Sequence, residues 1–167
     1  DGTTNYAHGY PIFCVSIALE REGEIALGVI YDPVRKETFS AERGHGAFLN
    51  RNRMNVSRIR NLGRALLVTG FAYDVHTCSD NNLDHFANFI LKAQAVRRDG
   101  SAALDLAYLA CGRFDGFWEL KLHPWDTAAG SLLVTEAGGR MSDFKGSHFS
   151  IYGQETLASN GFIHGAM

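Results

Sequence analysis

No apolar run in this sequence reaches the ~20 residues a membrane-spanning helix needs, and no secretory leader opens it. A chain working in the cytoplasm, without a membrane partner, is the expectation. Cysteine is scarce, with Cys14, Cys78 and Cys111 at irregular spacing and no Cys-X-X-Cys. That excludes a regular disulfide framework and a zinc ribbon. Cys14 and Cys111 lie in apolar runs and are expected as buried free thiols in a reducing compartment. A charge excess is missing too: 16 Lys and Arg face 18 Asp and Glu, for a net charge of -2. Nothing global draws such a chain to nucleic acid or an anionic membrane, so a phosphorylated ligand must be neutralised by local groups or metal ions. Arg51 to Arg64 holds five arginines but no aromatic residue to stack on bases, and reads as a solvated loop. No two of the seven histidines stand four apart, and neither Ser16 nor Ser101 sits in a G-x-S-x-G turn. Structural or surface histidines are expected, and no serine nucleophile. Internal repeats and low-complexity tracts are absent as well.

With 46% hydrophobic and 20% charged residues, the 167 residues suit one medium domain or part of a larger one. A short helical turn within Asp1 to Pro11 is closed by Gly9 and Pro11. Strands are predicted at Ile12–Glu20, Ile25–Tyr31, Thr38–Glu42 and Ala47–Asn50, then at Ala65–Thr69, Ala95–Arg98, Gly116–Leu120 and Thr156–Ser159. Helices are predicted from about Asn81 to Ala93, over Ser101–Cys111 and from Pro124 to Ala137, with another beginning in Asn160–Met167. The second half alternates strands with helices, which argues for layered α/β architecture. The first half is a strand meander with no helices to cover its second face.

Two short motifs carry chemistry. Asp1 precedes a helix start whose free N–H groups, at Gly2, Thr3 and Thr4, can receive a phosphate. Asp126, in PWDTAAG, lies in the first turn of its own helix. Two hard oxygen ligands suit Mg2+, which also keeps waters and substrate phosphate oxygens. An acid in a helix first turn also has a purely structural use, capping free N–H groups. Glu119 reads equally well as a surface strand residue.

The segments DGTTNYAHGYPIFCVSIALE, GVIYDPV, GAFLN, RRDGSAALDLAYLACGRFDGFWE, PWDTAAGSLLVTEAGG and LASNGFIH follow one another in the order seen in the inositol monophosphatase family. Over essentially its whole length the chain closely resembles bacterial members. The resemblance implies a mixed α/β fold, a layered helix-sheet sandwich, and Mg2+-dependent hydrolysis of phosphate monoesters of small polyols, inositol monophosphate foremost. It implies that Asp1 and Asp126 hold metal and that Gly2 and Thr3 hold phosphate through backbone N–H groups. The Thr3 hydroxyl would help orient the attacking water, making Asp1 and Thr3 the catalytic pair. Substrate contacts fall to Asp1, Glu119 and the helix start at Gly100, Ser101 and Ala102. Lys121 stands where many relatives have glycine. The family's DGT motif follows a further metal-binding Asp and an upstream Glu that this sequence does not contain. The resemblance therefore implies a chain truncated at both ends and lacking its N-terminal helical layer. Residues 1–60 would be the remainder of a metal- and phosphate-binding subdomain, and 61–167 a C-terminal α/β subdomain on the substrate side. Such a chain alone is expected to show little or no turnover, and the complete enzyme to be a homodimer. Related phosphatases for fructose 1,6-bisphosphate, adenosine phosphates or histidinol phosphate share the motifs, and a non-catalytic binding protein of the same fold is a further alternative.

Overall fold

Left-handed turns set the geometry of the first sheet. The computed structural model describes all residues 1–167. Strands β1 (Val15–Arg21), β2 (Glu24–Asp32), β3 (Glu37–Glu42), β4 (Gly46–Leu49) and β5 (Asn52–Arg53) form an antiparallel meander in chain order. Between β1 and β2, Glu22 and Gly23 take φ of 55° and 79°, the twist a two-residue hairpin needs. Asn50 and Arg51 do the same at 47° and 71°, which adds β5. The sequence reading ended the sheet at Asn50, because arginine gives no turn signal.

The second half builds a mixed sheet from β6 (Leu66–Thr69), β7 (Ala95–Arg97), β8 (Gly116–Leu120), β9 (Arg140–Ser142) and β10 (Glu155–Ser159). Its order is β7-β6-β8-β10-β9, with β6 parallel to β7 and β8, and β10 antiparallel to β8 and β9. The helices are α1 (Thr3–Ala7), α2 (Leu83–Ile90), α3 (Ala102–Ala110) and α4 (Pro124–Glu136). Asn160 to Met167 yields only a 3-10 turn, His164–Ala166. Just ahead of it the Asn160 carboxamide accepts from the N–H groups of Phe162 and Ile163, closing a turn over Gly161.

Helices α3 and α4 pack on each other, and α4 also packs across β1, β2 and β3. Every residue of α3 is buried, Asp105 included, as a helix with apolar residues on all its faces demands. Gly28 lets α4 approach β2: a Cβ there would stand 2.9 Å from Ala129 Cα. The main core joins Ile30 and Phe39 of the first half to Leu104, Phe117 and Leu133 of the second. A smaller core of Leu67, Phe89, Trp118, Leu157 and Ile163 lies under α2, with the Phe89 and Trp118 rings 4.4 Å apart. Within it His164 bridges the hydroxyls of Ser142 and Ser159 at 2.9 Å each. Burial, helped by Arg140, lowers its pKa to about 4.

The layering is the expected mixed α/β sandwich. The outer face of the first sheet is open: Val15, Ile17 and Leu19 pair with Tyr31, Val29 and Leu27, and all but half-buried Val29 are exposed. No helix is long and apolar enough to cross a membrane. Cys14 is buried and Cys111 half-buried, both are free thiols, and burial raises both pKa values.

Candidate functional site

A cleft of ≈ 810 Å³ opens where α1, the C-terminal ends of β6 and β8 and the N-terminal ends of α3 and α4 converge. Helix N-termini at strand carboxyl ends gather backbone donors on one side of an α/β layer, where such folds bind ligands. The eight residues singled out from sequence, Asp1, Gly2, Thr3, Gly100, Ser101, Ala102, Glu119 and Asp126, all line this cleft.

Asp1 is anchored from both ends. Its backbone nitrogen donates to the Cys14 carbonyl at 2.8 Å. Its Oδ2 accepts from the Ser101 hydroxyl at 2.7 Å and the Ala103 N–H at 3.0 Å, across 100 residues of chain. Oδ1 accepts from the Gly2 N–H at 2.9 Å. The Gly2 N–H, expected to face phosphate, donates to Asp1 in this structure, and the first-turn N–H groups of Thr3, Thr4 and Asn5 are left open. Gly2 adopts φ 84°, and a Cβ there would lie 2.7 Å from the Ile12 carbonyl oxygen. The sequence reading passed over Asn5, whose amide donates to the carbonyls of Ile12 at 2.7 Å and Asp99 at 2.8 Å. It ties α1 to the approach to α3.

Asp126 does what a first-turn acid does. Its Oδ2 accepts from the His123 N–H at 2.9 Å, which leaves Oδ1 uncommitted. The His123 and Trp125 rings stack 4.6 Å apart, and Trp125 is exposed at the rim. Glu119, by contrast, is no surface residue: it is 7% exposed. Burial first, then the charge of Asp126, raises its pKa to about 8, while Arg98 opposes them. A Cβ on Gly70 would overlap the Glu119 carboxylate, so only glycine leaves that side chain its place.

Lys121 sits at φ 59°, the left-handed conformation glycine adopts most readily. Its ammonium donates to Asp74 at 2.8 Å and to the Cys78 sulfur at 3.1 Å, bonds that raise its pKa. These contacts, with a buried relay from Trp118 Nε1 to Asn82 Oδ1 and from Asn82 Nδ2 to Thr69 Oγ1 and the Gly70 carbonyl, fix the loop that closes the cleft. Loop residues Phe71, Ala72 and Tyr73 gave no sequence signal. Asp105 did: an acid inside the apolar run AALDLAYLA was visible, and it too lines the cleft.

Nowhere does the chain gather three or more His, Cys, Asp or Glu side chains placed to hold a metal ion. The two candidate ligands do fit Mg2+ as a partial set. Asp1 carries hard oxygens aligned by three donors, Asp126 has one free oxygen, and Mg2+ is commonly held by one or two carboxylates plus phosphate oxygens and water.

The whole chain, residues 1–167, matches the family model described as the inositol monophosphatase family. A Synechocystis protein named inositol-1-monophosphatase is 49% identical over 164 residues, covering 98% of this chain and 57% of its own length. A Pseudomonas aeruginosa protein named Nus factor SuhB is also 49% identical, over 96% of this chain and 60% of that protein. The solved inositol monophosphatase of Anabaena (Nostoc) superposes with a TM-score of 0.96 at 51% identity, covering 98% of this chain and 65% of that one. The chain thus spans about three-fifths of the length of these relatives. Sequence match and superposition agree from the DGT segment to the last strand, and this chain belongs to the inositol monophosphatase family.

Proposed function

We propose that the protein containing this chain hydrolyses the phosphate monoester of a small polyol, inositol monophosphate foremost, with Mg2+. The observation that carries this reading is Asp1, oriented by Gly2, Ser101 and Ala103 in the same cleft as Asp126 and Glu119. Asp1 and Asp126 would hold the metal ion, which would supply a water-derived nucleophile and offset charge on the leaving oxygen. The chain's own residues do the rest. The open N–H groups of Thr3 and Thr4 receive phosphate oxygens, and the Thr3 hydroxyl lies at the same helix start to orient water. Ser101 and the α3 N-terminus hold the Asp1 carboxylate aimed. Burial pushes the Glu119 carboxyl well above the usual carboxylate range, and such a group can offer a polyol hydroxyl both a donor and an acceptor. The complete enzyme is read as a homodimer, following the family.

Phosphate release from inositol 1-phosphate by the full-length protein, with and without Mg2+, is the direct test. Asp126→Asn should lower kcat/KM by more than the ~10–100-fold that losing a supporting partner of a metal ligand costs. Activity that ignores Mg2+, or an unaffected Asp126→Asn variant, would refute the reading. A panel with fructose 1,6-bisphosphate, adenosine phosphates and histidinol phosphate separates the related substrates. The name Nus factor SuhB on a relative of the same 49% identity is the observation behind a second reading, a non-catalytic binding role. That reading wins if the full-length protein releases no phosphate.

A further inference from the structure

Asp105 is the buried acid to which the reading above gives no work. It lies in the first turn of α3, is 1% exposed, and its carboxyl receives no hydrogen bond from any protein group. Its Oδ1 is the one fully buried side-chain oxygen or nitrogen in the structure that lacks a partner. A helix start favours an acid through its dipole, yet that satisfies neither oxygen, and an unpaired buried acceptor is costly. Asp105 nevertheless lines the cleft, and so does Glu119, whose carboxylate also lacks a protein donor. The two are near enough for the Glu119 charge to add to burial and Asp99 in raising the pKa of Asp105, while Arg98 opposes.

The chemistry of the missing partner follows from this pair. A phosphate offers acceptors, not the donor that the unpaired Asp105 oxygen needs. A cation prefers ionised ligands, whereas burial pushes both of these carboxyls toward the neutral form. A hydroxyl suits both, because it donates to a carboxylate and accepts from a carboxylic acid. We propose that Asp105 is a specificity-determining residue of this cleft, taking one ring hydroxyl beside the hydroxyl held by Glu119, so that the site selects phosphate monoesters with two neighbouring hydroxyls.

This inference rests on the polyol-phosphatase reading, and one experiment tells the two apart. Full-length wild type, Asp105→Ala and Asp105→Asn are assayed with Mg2+ on myo-inositol 1-phosphate and on phenyl phosphate, which has no hydroxyl to offer. In Asp105→Ala the selectivity, as the ratio of the two kcat/KM values, should fall about tenfold, chiefly through the KM of the inositol ester. Asp105→Asn, whose amide still accepts and donates, should restore much of it. A ratio within about twofold of wild type in the alanine variant overturns the inference. If that variant fails to fold, monodeoxy inositol phosphates on wild type decide. Sensitivity at two adjacent ring positions is expected, and sensitivity at only one overturns the role of Asp105. Wild type that hydrolyses neither ester overturns the phosphatase reading itself, and this inference with it.

Discussion

Replacing Tyr108 by phenylalanine removes one oxygen from the middle of a network that joins the two halves of the chain. The Tyr108 hydroxyl donates to Oδ2 of Asp32 at 2.7 Å, and Asp32 is wholly buried at the end of β2. Three further donors reach that carboxylate: the N–H groups of Val34 at 2.9 Å and Arg35 at 3.0 Å, and the Arg35 guanidinium at 3.1 Å. The Tyr108 ring keeps its other contacts in the variant, edge-on to Phe39 at 5.9 Å and 4.8 Å beneath the Arg113 guanidinium, itself bonded twice to Glu37. The change therefore isolates one hydrogen bond to a charged acceptor, about 1.5–3 kcal/mol. Because Arg35 still serves the same oxygen, the expected loss is about 2 kcal/mol, or a fall in Tm of ~4–8 °C for a chain of this size. The pH dependence gives a second handle. Burial alone would raise the Asp32 pKa, but the Arg35 N–H, the Tyr108 hydroxyl and the Arg35 guanidinium outweigh it and hold it below 3.8. A depressed carboxyl stabilises the fold above its unfolded pKa and loses that contribution as pH falls through its folded value. The gap between wild type and Tyr108→Phe should be full at pH 7 and shrink as pH falls below 3.8. Urea unfolding across that range measures it. A gap under about 0.5 kcal/mol at pH 7, or one that stays constant on acidification, would refute the reasoning.

Two other perturbations probe the site and the core. Gly70→Ala places a Cβ on the Glu119 carboxylate, so we expect a loss of about 1–3 kcal/mol in stability together with a raised KM for inositol 1-phosphate. Calorimetry and steady-state kinetics on the full-length protein check it, and an unchanged KM would mean that Glu119 does not meet the substrate. His164, with a pKa of about 4 against 6.5 when unperturbed, favours the neutral form in the fold, so the unfolded chain takes up its proton first. Stability should be complete above pH 6.5 and fall by up to about 3 kcal/mol as pH drops towards 4. His164→Gln should lack that part of the slope, and equal slopes for both proteins would sink the idea.

Much of the fold was legible in the sequence where a local pattern fixes it. The strand Gly116–Leu120 and the helix beginning at Pro124 fall where period, proline and glycine placed them. Local signals failed where a neighbour decides the outcome. The pair Asn52–Arg53 becomes a strand only because β4 offers its edge, and Arg140–Ser142 only because β10 does. Helix α2 stops at Ile90, although its apolar spacing runs on to Ala93, and the chain leaves it through a last turn in which the Phe89 carbonyl takes the N–H groups of Lys92 and Ala93.

The sequence by itself determined the chemistry on offer: the DGT and WD carboxylates, the GSA helix start, and a charge balance that leaves a phosphate to local groups. Residue type and order carry that information, and no folding is needed to read it. Only the tertiary structure decided which oxygens are free. Asp1 and Ser101 stand 100 residues apart and share a hydrogen bond, and Gly2 spends its N–H on Asp1. Glu119 is buried although it lies on a strand that sequence alone leaves open to the surface, and Asp105 lacks a partner because no donor from a distant segment reaches it. Burial and pairing are properties of surfaces brought together from distant segments, and those surfaces exist only once the sheets close on α3 and α4.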